Sequence, residues 1–405
     1  MPVDQRKVAG AILKQATIML NTYFGTDIKI DGAAFISEPE RRNILLRLTL
    51  TSKTSAHPSH VILKQHVAQK NPQGDQEAFN RFARDWSAHK FLEELSKSDP
   101  LVPKFYGGSV EHRFILLEDL GPEHLSLVDA LTGTKPEEAK AALRRYTTQM
   151  AILHGLAYQN LEKYNLIFSK FKCTSLVEDN SYDDAIREIV PVLHNLGIIL
   201  NSDIKKEIKQ VLKIIKQPSE FMTLIHGDLC PDNVFDDPEQ NKLRIIDFEW
   251  SSLSNALLDG VYIRMNMPTC WCAKAFPLDL IDELEILYRT ELAKNMPAAH
   301  DDLLYFESYS AACAYWMLWN VTIIKELWDK DSDLSDPKYL NLHKNWRPEY
   351  QLRRPRVLSR IGAFIEISQK HDNLPHLREM AILVLHQLQR IWPDVEPMGR
   401  YRAFL

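Results

Sequence analysis

With 405 residues, 45% of them hydrophobic, the chain can bury a large core and is too long for one small domain, so two lobes are expected. A formal net charge of −5 excludes the strongly basic character that would point to nucleic acid as a partner. The opening residues, MPVDQRKVAGAILKQA, lack the apolar core and cleavage site of a signal peptide, and apolar runs such as MAILVL at 380–385 fall far short of the roughly 20 residues of a membrane span.

A cytoplasmic protein with no membrane partner is therefore expected, its oligomeric state left open. Five cysteines, an odd count without framework spacing, point to reduced thiols rather than disulfides.

In chain order, residues 3–24 carry Val8, Ile12, Ala16, Met19, Leu20 and Phe24 at three- and four-residue steps, the period of an amphipathic helix. Apolar and β-branched clusters follow at Ile28–Ile36, Ile44–Leu50 and Val61–Leu63, separated by polar turns, and read as an antiparallel sheet. Lys64 closes the last of these runs. A helix is expected over 76–96, then one strand over 110–120 that ends at Gly121. Pro136 suits a helix start, and the pattern runs on to Tyr158. Two more helices, about 183–200 and 203–216, resemble an insertion spanning 158–218. After Trp250 the periodicity is helical over 279–294, 309–328, 356–370 and 374–391, with a linker rich in Asp, Pro and Arg around 331–355. The expected organisation is a nucleotide-binding lobe, 1–120, and a larger catalytic and substrate-binding lobe, 121–405.

The chemistry concentrates in LIHGDLCPDNVFDDPEQNKLRIIDFEW, residues 224–250. The spacing from Asp228 to Asn233 is that of the protein-kinase catalytic loop, and Asp247 before Phe248 stands where the aspartate of Asp-Phe-Gly would. Magnesium takes hard oxygen ligands beside nucleotide phosphates, which Asn233 and Asp247 would offer, while a carboxylate such as Asp228 would orient an attacking hydroxyl.

The segment resembles the aminoglycoside phosphotransferase family, within the wider choline-kinase and protein-kinase-like fold. The residues that carry the resemblance are His226 to Asn233, Ile246-Asp247-Phe248-Glu249, and Ala256-Leu257-Leu258-Asp259. It implies an α+β bilobal fold, with an N-terminal antiparallel sheet and helix and a mainly helical C-terminal lobe. It also implies Mg2+-dependent transfer of the γ-phosphoryl of ATP, or GTP, to the hydroxyl of a small molecule. Asp228 would be the catalytic base, Asn233 and Asp247 would hold the metal, Lys64 would bridge the α- and β-phosphates, and the backbone of Glu118, Asp119 and Leu120 would receive adenine. The partner of Lys64 would be Asp85, or else Glu77. Aspartate is one methylene shorter than the family's usual glutamate, so a long or water-bridged pair is expected. The segment Ile36–Asn43 contains no glycine, although phosphate-covering loops are usually glycine-rich.

Plainer roles stand beside these. His226 reads as a support for the loop backbone, Cys230 as packing, and Cys270 and Cys272 as buried thiols. The tryptophans at 250, 271, 316, 319 and 328 could form an aromatic cage for a quaternary ammonium group, with core packing preferred for the helical set. Glu249, Asp259 and the acidic residues at 279–285 could line a cationic pocket, the latter group reading more simply as a solvated face. Arg347, Arg353, Arg354, Arg356 and Arg360 could receive an anion, or be solvated surface. The alternatives in function are a non-catalytic pseudokinase module, or a choline, amino-alcohol or sugar kinase of the same fold. A protein kinase fits less well because no Ala-Pro-Glu element follows Asp247.

Overall fold

A computed structural model describes residues 9–37, 41–52, 57–121, 124–173, 182–328, 346 and 352–405. The chain divides into two compact units, one made of 1–124, 162–174 and 244–251, the other of 125–161, 175–243 and 252–405.

The first unit opens with α1 (Gly10–Phe24), β1 (Ile28–Phe35), β2 (Asn43–Ser52), β3 (His60–His66), α2 (Pro72–Leu95), β4 (Phe105–Ser109) and β5 (Phe114–Glu118). The five strands form one antiparallel sheet in the order β1-β2-β3-β5-β4. Ile12, Ala16 and Leu20 of α1 pack on Leu46, Leu48, Val61, Leu63 and Leu116 of the sheet. Because side chains alternate along a strand, Val61 and Leu63 enter this core while Lys64 and His66 share a face at the end of β3. α2 starts at Asn71, whose side chain accepts from the Gly74 amide at 2.6 Å, with Pro72 in its first turn.

The strand expected over 110–120 is β5, shorter at both ends, and β4 before it was not expected. β4, with two glycines, carries little strand signal, yet a Cβ at Gly108 would lie 2.5 Å from the Trp86 ring and 2.4 Å from the Phe114 carbonyl. Glycine is needed there because the indole of α2 lies against the strand.

The second unit contains β6 (Leu125–Ser126), α3 (Leu127–Thr132) and α4 (Pro136–Tyr158), after which α5 (Leu161–Phe168) returns to the first unit. It resumes with α6 (Tyr182–Asn195), α7 (Ser202–Lys216), β7 (Met222–Ile225) and β8 (Val234–Asp237); β9 (Lys242–Ile245) carries the chain back to the first unit. It finishes with β10 (Ser252–Asn255), α8 (Leu257–Gly260), α9 (Leu278–Ala293), α10 (Asp302–Ile323), α11 (Arg353–His371) and α12 (Pro375–Ile391).

Its long helices follow the expected periodicity, with shifted ends. α10 begins seven residues before the expected 309, because Asp301 caps it by accepting from the amides of Leu303 at 2.9 Å and Leu304 at 3.1 Å. It is buried nearly all round, as suits a central helix; Trp316 packs inside and donates to the Leu258 carbonyl at 2.9 Å, while Trp319 is more exposed. α6 stops at Asn195 rather than near 200: Gly197 takes φ 70° and the Ile198 amide returns to the Leu193 carbonyl, a left-handed helix stop. Most of the expected 331–355 linker, Arg347 included, lies outside the described residues, as do residues 1–8 and the middle of the glycine-free 36–43 segment.

The protein therefore has the α+β protein-kinase-like fold, with a five-stranded antiparallel sheet in one unit and a mainly helical second unit. Among the described residues no helix is long and apolar enough to cross a membrane.

Candidate active site

In the first unit the functional side chains form a buried ionic cluster. Lys64 Nζ lies 2.7 Å from Asp85 Oδ2 and 2.5 Å from Asp247 Oδ1. Burial alone would lower the lysine pKa, but the charges of Asp247, Asp85 and Glu249 outweigh it and hold the ammonium well above its ordinary value. The expected long or bridged contact to Asp85 is thus a direct one, and Glu77 is exposed. α2 brings the shorter side chain close enough, and around it stand His66 Nε2 of β3 at 3.1 Å, the Phe248 amide at 3.0 Å and, from α2 itself, His89 Nε2 3.4 Å away. Asp85 is fully buried, which would raise its pKa, yet the lysine charge and these histidines hold it well below the usual carboxylate range. His66 and His89 escaped notice in the sequence, where single histidines carry no local pattern.

Asp247 itself has φ 68°, a left-handed conformation that aspartate tolerates better than most residues. Glu249, next but one, is buried. It takes hydrogen bonds from Arg42 and from Asn43 Nδ2, the latter at 2.8 Å, and so ties the start of β2 rather than lining a cationic pocket. Trp250 has the Arg42 and Arg81 guanidinium groups over its ring at 5.4 and 5.8 Å. At the end of β5, the Glu118 amide donates to the Lys104 carbonyl at 2.9 Å, and Asp119 is ion-paired to Arg47 at 2.6 Å; Leu120 follows directly.

In the second unit the motif is an irregular loop joining β7 to β8. β7 pairs with β10, which fixes where the loop starts. His226 is fully buried, and its Nδ1 accepts from the Asp228 amide at 3.2 Å, the backbone support expected of it. Gly227 turns the chain at φ 77°, where a side chain would be strained. Asp259 on α8 then brackets the turn, its carboxylate accepting from the His226 amide at 2.7 Å and the Gly227 amide at 3.1 Å, with His154 Nε2 at 3.3 Å. Asp259 is fully buried, so it holds the loop and does not line a cationic pocket. α4 supports the same loop through Tyr146, whose hydroxyl donates to the Leu229 carbonyl at 3.0 Å.

The Asp228 carboxylate is half-buried and accepts from Thr269 Oγ1 at 2.5 Å. Asn233 Nδ2 donates to the Asp228 carbonyl at 2.9 Å. This engages the amide nitrogen and leaves the harder Oδ1 as the atom with which Asn233 could ligate a cation. The expectation of reduced thiols is corrected for one pair: Cys230 is bonded to Cys270, with Cα atoms 5.3 Å apart, while Cys173, Cys272 and Cys313 are free. An odd count leaves room for a pair, and a separation of 40 residues gives no spacing signal. Trp271 donates to Asp232 Oδ2 at 2.7 Å and meets Trp346 edge to face at 5.5 Å.

Another expectation changes. Arg354, Arg356 and Arg360 are buried, not a solvated surface. Arg356 donates to the carbonyls of Cys270 at 3.1 Å and Trp271 at 2.7 Å, and Arg360 to those of Met265, Asn266 and Met267 at 3.0–3.1 Å. On α9 Asp279, Asp282 and Glu283 are exposed, as a solvated face would be; Asp282 and the less exposed Glu285 also meet the buried Arg264 at 2.7 and 2.6 Å, and Glu283 meets Arg144 at 2.5 Å.

Among known proteins, the model of the choline/ethanolamine kinase family matches residues 41–259, more than half of the chain. No curated protein matches the sequence significantly. Of solved structures, the chain is similar to an ethanolamine kinase of Plasmodium vivax at 14% identity and a TM-score of 0.46, covering 94% of this chain and 93% of that one. It is similar to choline kinase LicA of Streptococcus pneumoniae at 14% and 0.40, covering 87% and 98%. A macrolide 2'-phosphotransferase type I gives 14% and 0.44, covering 83% and 96%. The family matched is the choline-kinase one, named within the wider fold of the expected resemblance. The chain belongs to the choline/ethanolamine kinase family and is a small-molecule kinase, a phosphotransferase with an alcohol group as acceptor.

Proposed function

We propose that the protein transfers the γ-phosphoryl group of ATP, or GTP, in a Mg2+-dependent reaction to the hydroxyl of a small amino alcohol of the choline or ethanolamine type. The observation that carries this is the Asp228 carboxylate, fixed by Thr269, with Asn233 five residues on and turned by its own amide nitrogen. In the reaction Asp228 orients the acceptor hydroxyl and takes its proton. Asn233 Oδ1 and the Asp247 carboxylate would hold a bound metal, whose charge would serve to neutralise the phosphates. Lys64, kept in place by Asp85, bridges the α- and β-phosphates, and the peptide groups of Asp119 and Leu120 receive the base, since the Glu118 amide is already used. Catalysis of this kind is positioning and charge neutralisation, with little covalent help from the protein. The family supports the amino-alcohol acceptor.

The test is a phosphorylation screen with Mg2+ and either ATP or GTP over choline, ethanolamine, aminoglycosides and sugars, run on the wild type and Asp228→Asn. We expect turnover on an amino alcohol and a loss in kcat on the order of 10²–10⁴-fold in the variant with nucleotide binding retained. Nucleotide-induced thermal stabilisation without turnover on any acceptor would instead support a non-catalytic nucleotide-binding module.

A further inference from the structure

Asp228 is held by residues that lie outside the motif. Thr269 Oγ1 donates to Asp228 Oδ1 at 2.5 Å, and the Tyr262 hydroxyl lies 2.7 Å from Thr269 Oγ1. An ionised carboxylate can only accept, so the one threonine proton goes to Asp228, and the Tyr262 hydroxyl is the donor of its 2.7 Å contact with Thr269, with the Gly227 carbonyl a longer second acceptor at 3.3 Å. Tyr262 is fully buried, and burial, with the charges of Asp228 and Asp259, pushes its hydroxyl well above the usual tyrosine pKa, so it stays a donor.

The segment bearing Thr269 is fixed in turn. Asn266 and Met267 sit at φ 50° and 51°, and the buried guanidinium groups of Arg356 and Arg360 cap its carbonyls. Next to Thr269, Cys270 is bonded to Cys230, two residues beyond Asp228. Cys230 Sγ lies 3.1 Å from Asp228 Oδ1, the oxygen that Thr269 holds.

We infer that Thr269 is a positioning residue for Asp228 and that the Cys230–Cys270 bond clamps it there, so that phosphoryl transfer slows when the bond is reduced. The inference rests on Asp228 being the base. Reduction by a dithiol proceeds by attack of its thiolate on one sulfur, then displacement of the mixed disulfide by its second thiol. The dithiol loses two electrons and two protons, and the protein gains two thiols. A disulfide sulfur has no proton, but a Cys230 thiol can donate to Oδ1 and compete with Thr269. Reduction thus removes the tether and adds a rival donor at the same oxygen.

The experiment uses the full chain, oxidised with glutathione disulfide or reduced with dithiothreitol. Transfer from Mg·ATP to choline, to ethanolamine and to water is measured in each state. Thiol counting on denatured protein should give three thiols oxidised, from Cys173, Cys272 and Cys313, and all five reduced. We expect reduction to lower kcat about tenfold, the size of one lost charge-assisted hydrogen bond, with KM for ATP within about twofold and reversal on reoxidation. Thr269→Val should show a similar loss of kcat in the oxidised state, and Thr269→Ser should recover most of it. Cys270→Ser should stay at the reduced rate in both buffers.

Equal rates in the two states, a faster reduced enzyme, or a pair that cannot be oxidised would overturn the clamp. Should Thr269→Val not fold, the two states of the wild type still decide. Absence of transfer to every acceptor of the screen and to water would remove Asp228 as base and this inference with it. Turnover that needs Asp228 but ignores both Thr269→Val and reductant removes this inference alone.

Discussion

The two units hold their functional carboxylates by opposite means. In the first, Asp85 and Asp247 share Lys64, and full charges meet where Asp85 is fully buried and the lysine nearly so. In the second, Asp228 is held by a threonine hydroxyl beside a disulfide, while Asp259 receives two backbone amides and a histidine. A buried ion pair is rigid, but removal of one partner strands the other charge, whereas a carboxylate held by neutral donors gives way in smaller steps. The contrast suits the proposed roles, a lysine presenting a fixed positive charge and a base free to take and release a proton.

Lys64→Met should break this contrast most sharply. It leaves Asp85 uncompensated in the interior, which costs about 3–5 kcal/mol, read as a lower denaturant midpoint for the first unit. Asp85→Asn added to Lys64→Met should recover part of that loss; if it does not, the stranded charge is not the cause.

A smaller effect is expected from Asp259→Asn, which weakens two charge-assisted bonds to the loop amides. The cost is about 1.5–3 kcal/mol, with a fall in kcat because the turn at Gly227 loosens. A fall in stability with unchanged kcat would show that the turn is held without Asp259.

The smallest effect concerns pH. Asp85 is depressed in the folded state, so the unfolded chain binds its proton first as pH falls. Its contribution is complete above the unfolded carboxylate value of about 3.9. Below that it is lost by at most about 1.4 kcal/mol per pH unit, towards the folded value. Denaturant titrations at pH 7, 5, 4 and 3 should be flat to about 4 and then fall, with the fall reduced in the Asp85→Asn, Lys64→Met double variant.

What was legible in the sequence is what local spacing encodes. The steps of Ile12, Ala16 and Leu20 announce α1, and the four residues separating Asp228 from Asn233 announce a catalytic loop, because both depend on neighbours along the chain. The pairing of Lys64 with Asp85 was legible from a strand end and a helix position. The supports of the site were hidden, since each is defined by a partner far away. Arg356 and Arg360 sit in a charge-rich stretch that usually faces water; here the carbonyls of 265–271 replace the water, and only the tertiary structure supplies them. Thr269 and Tyr262 have no spacing relation to Asp228, and the cysteine bond spans 40 residues. The glycines of β4 misled because a strand signal is a matter of side chains, and Gly108 is there to make room for one from elsewhere.

The grip of α11 on the 265–271 segment bears on where the smallest working fragment ends. The family match stops at 259, after the last recognisable motif residue, yet Tyr262, Thr269, Cys270, Arg356 and Arg360 all lie beyond it. A fragment trimmed to the matched region would carry Asp228 and Asn233 intact and leave their loop without its outer frame.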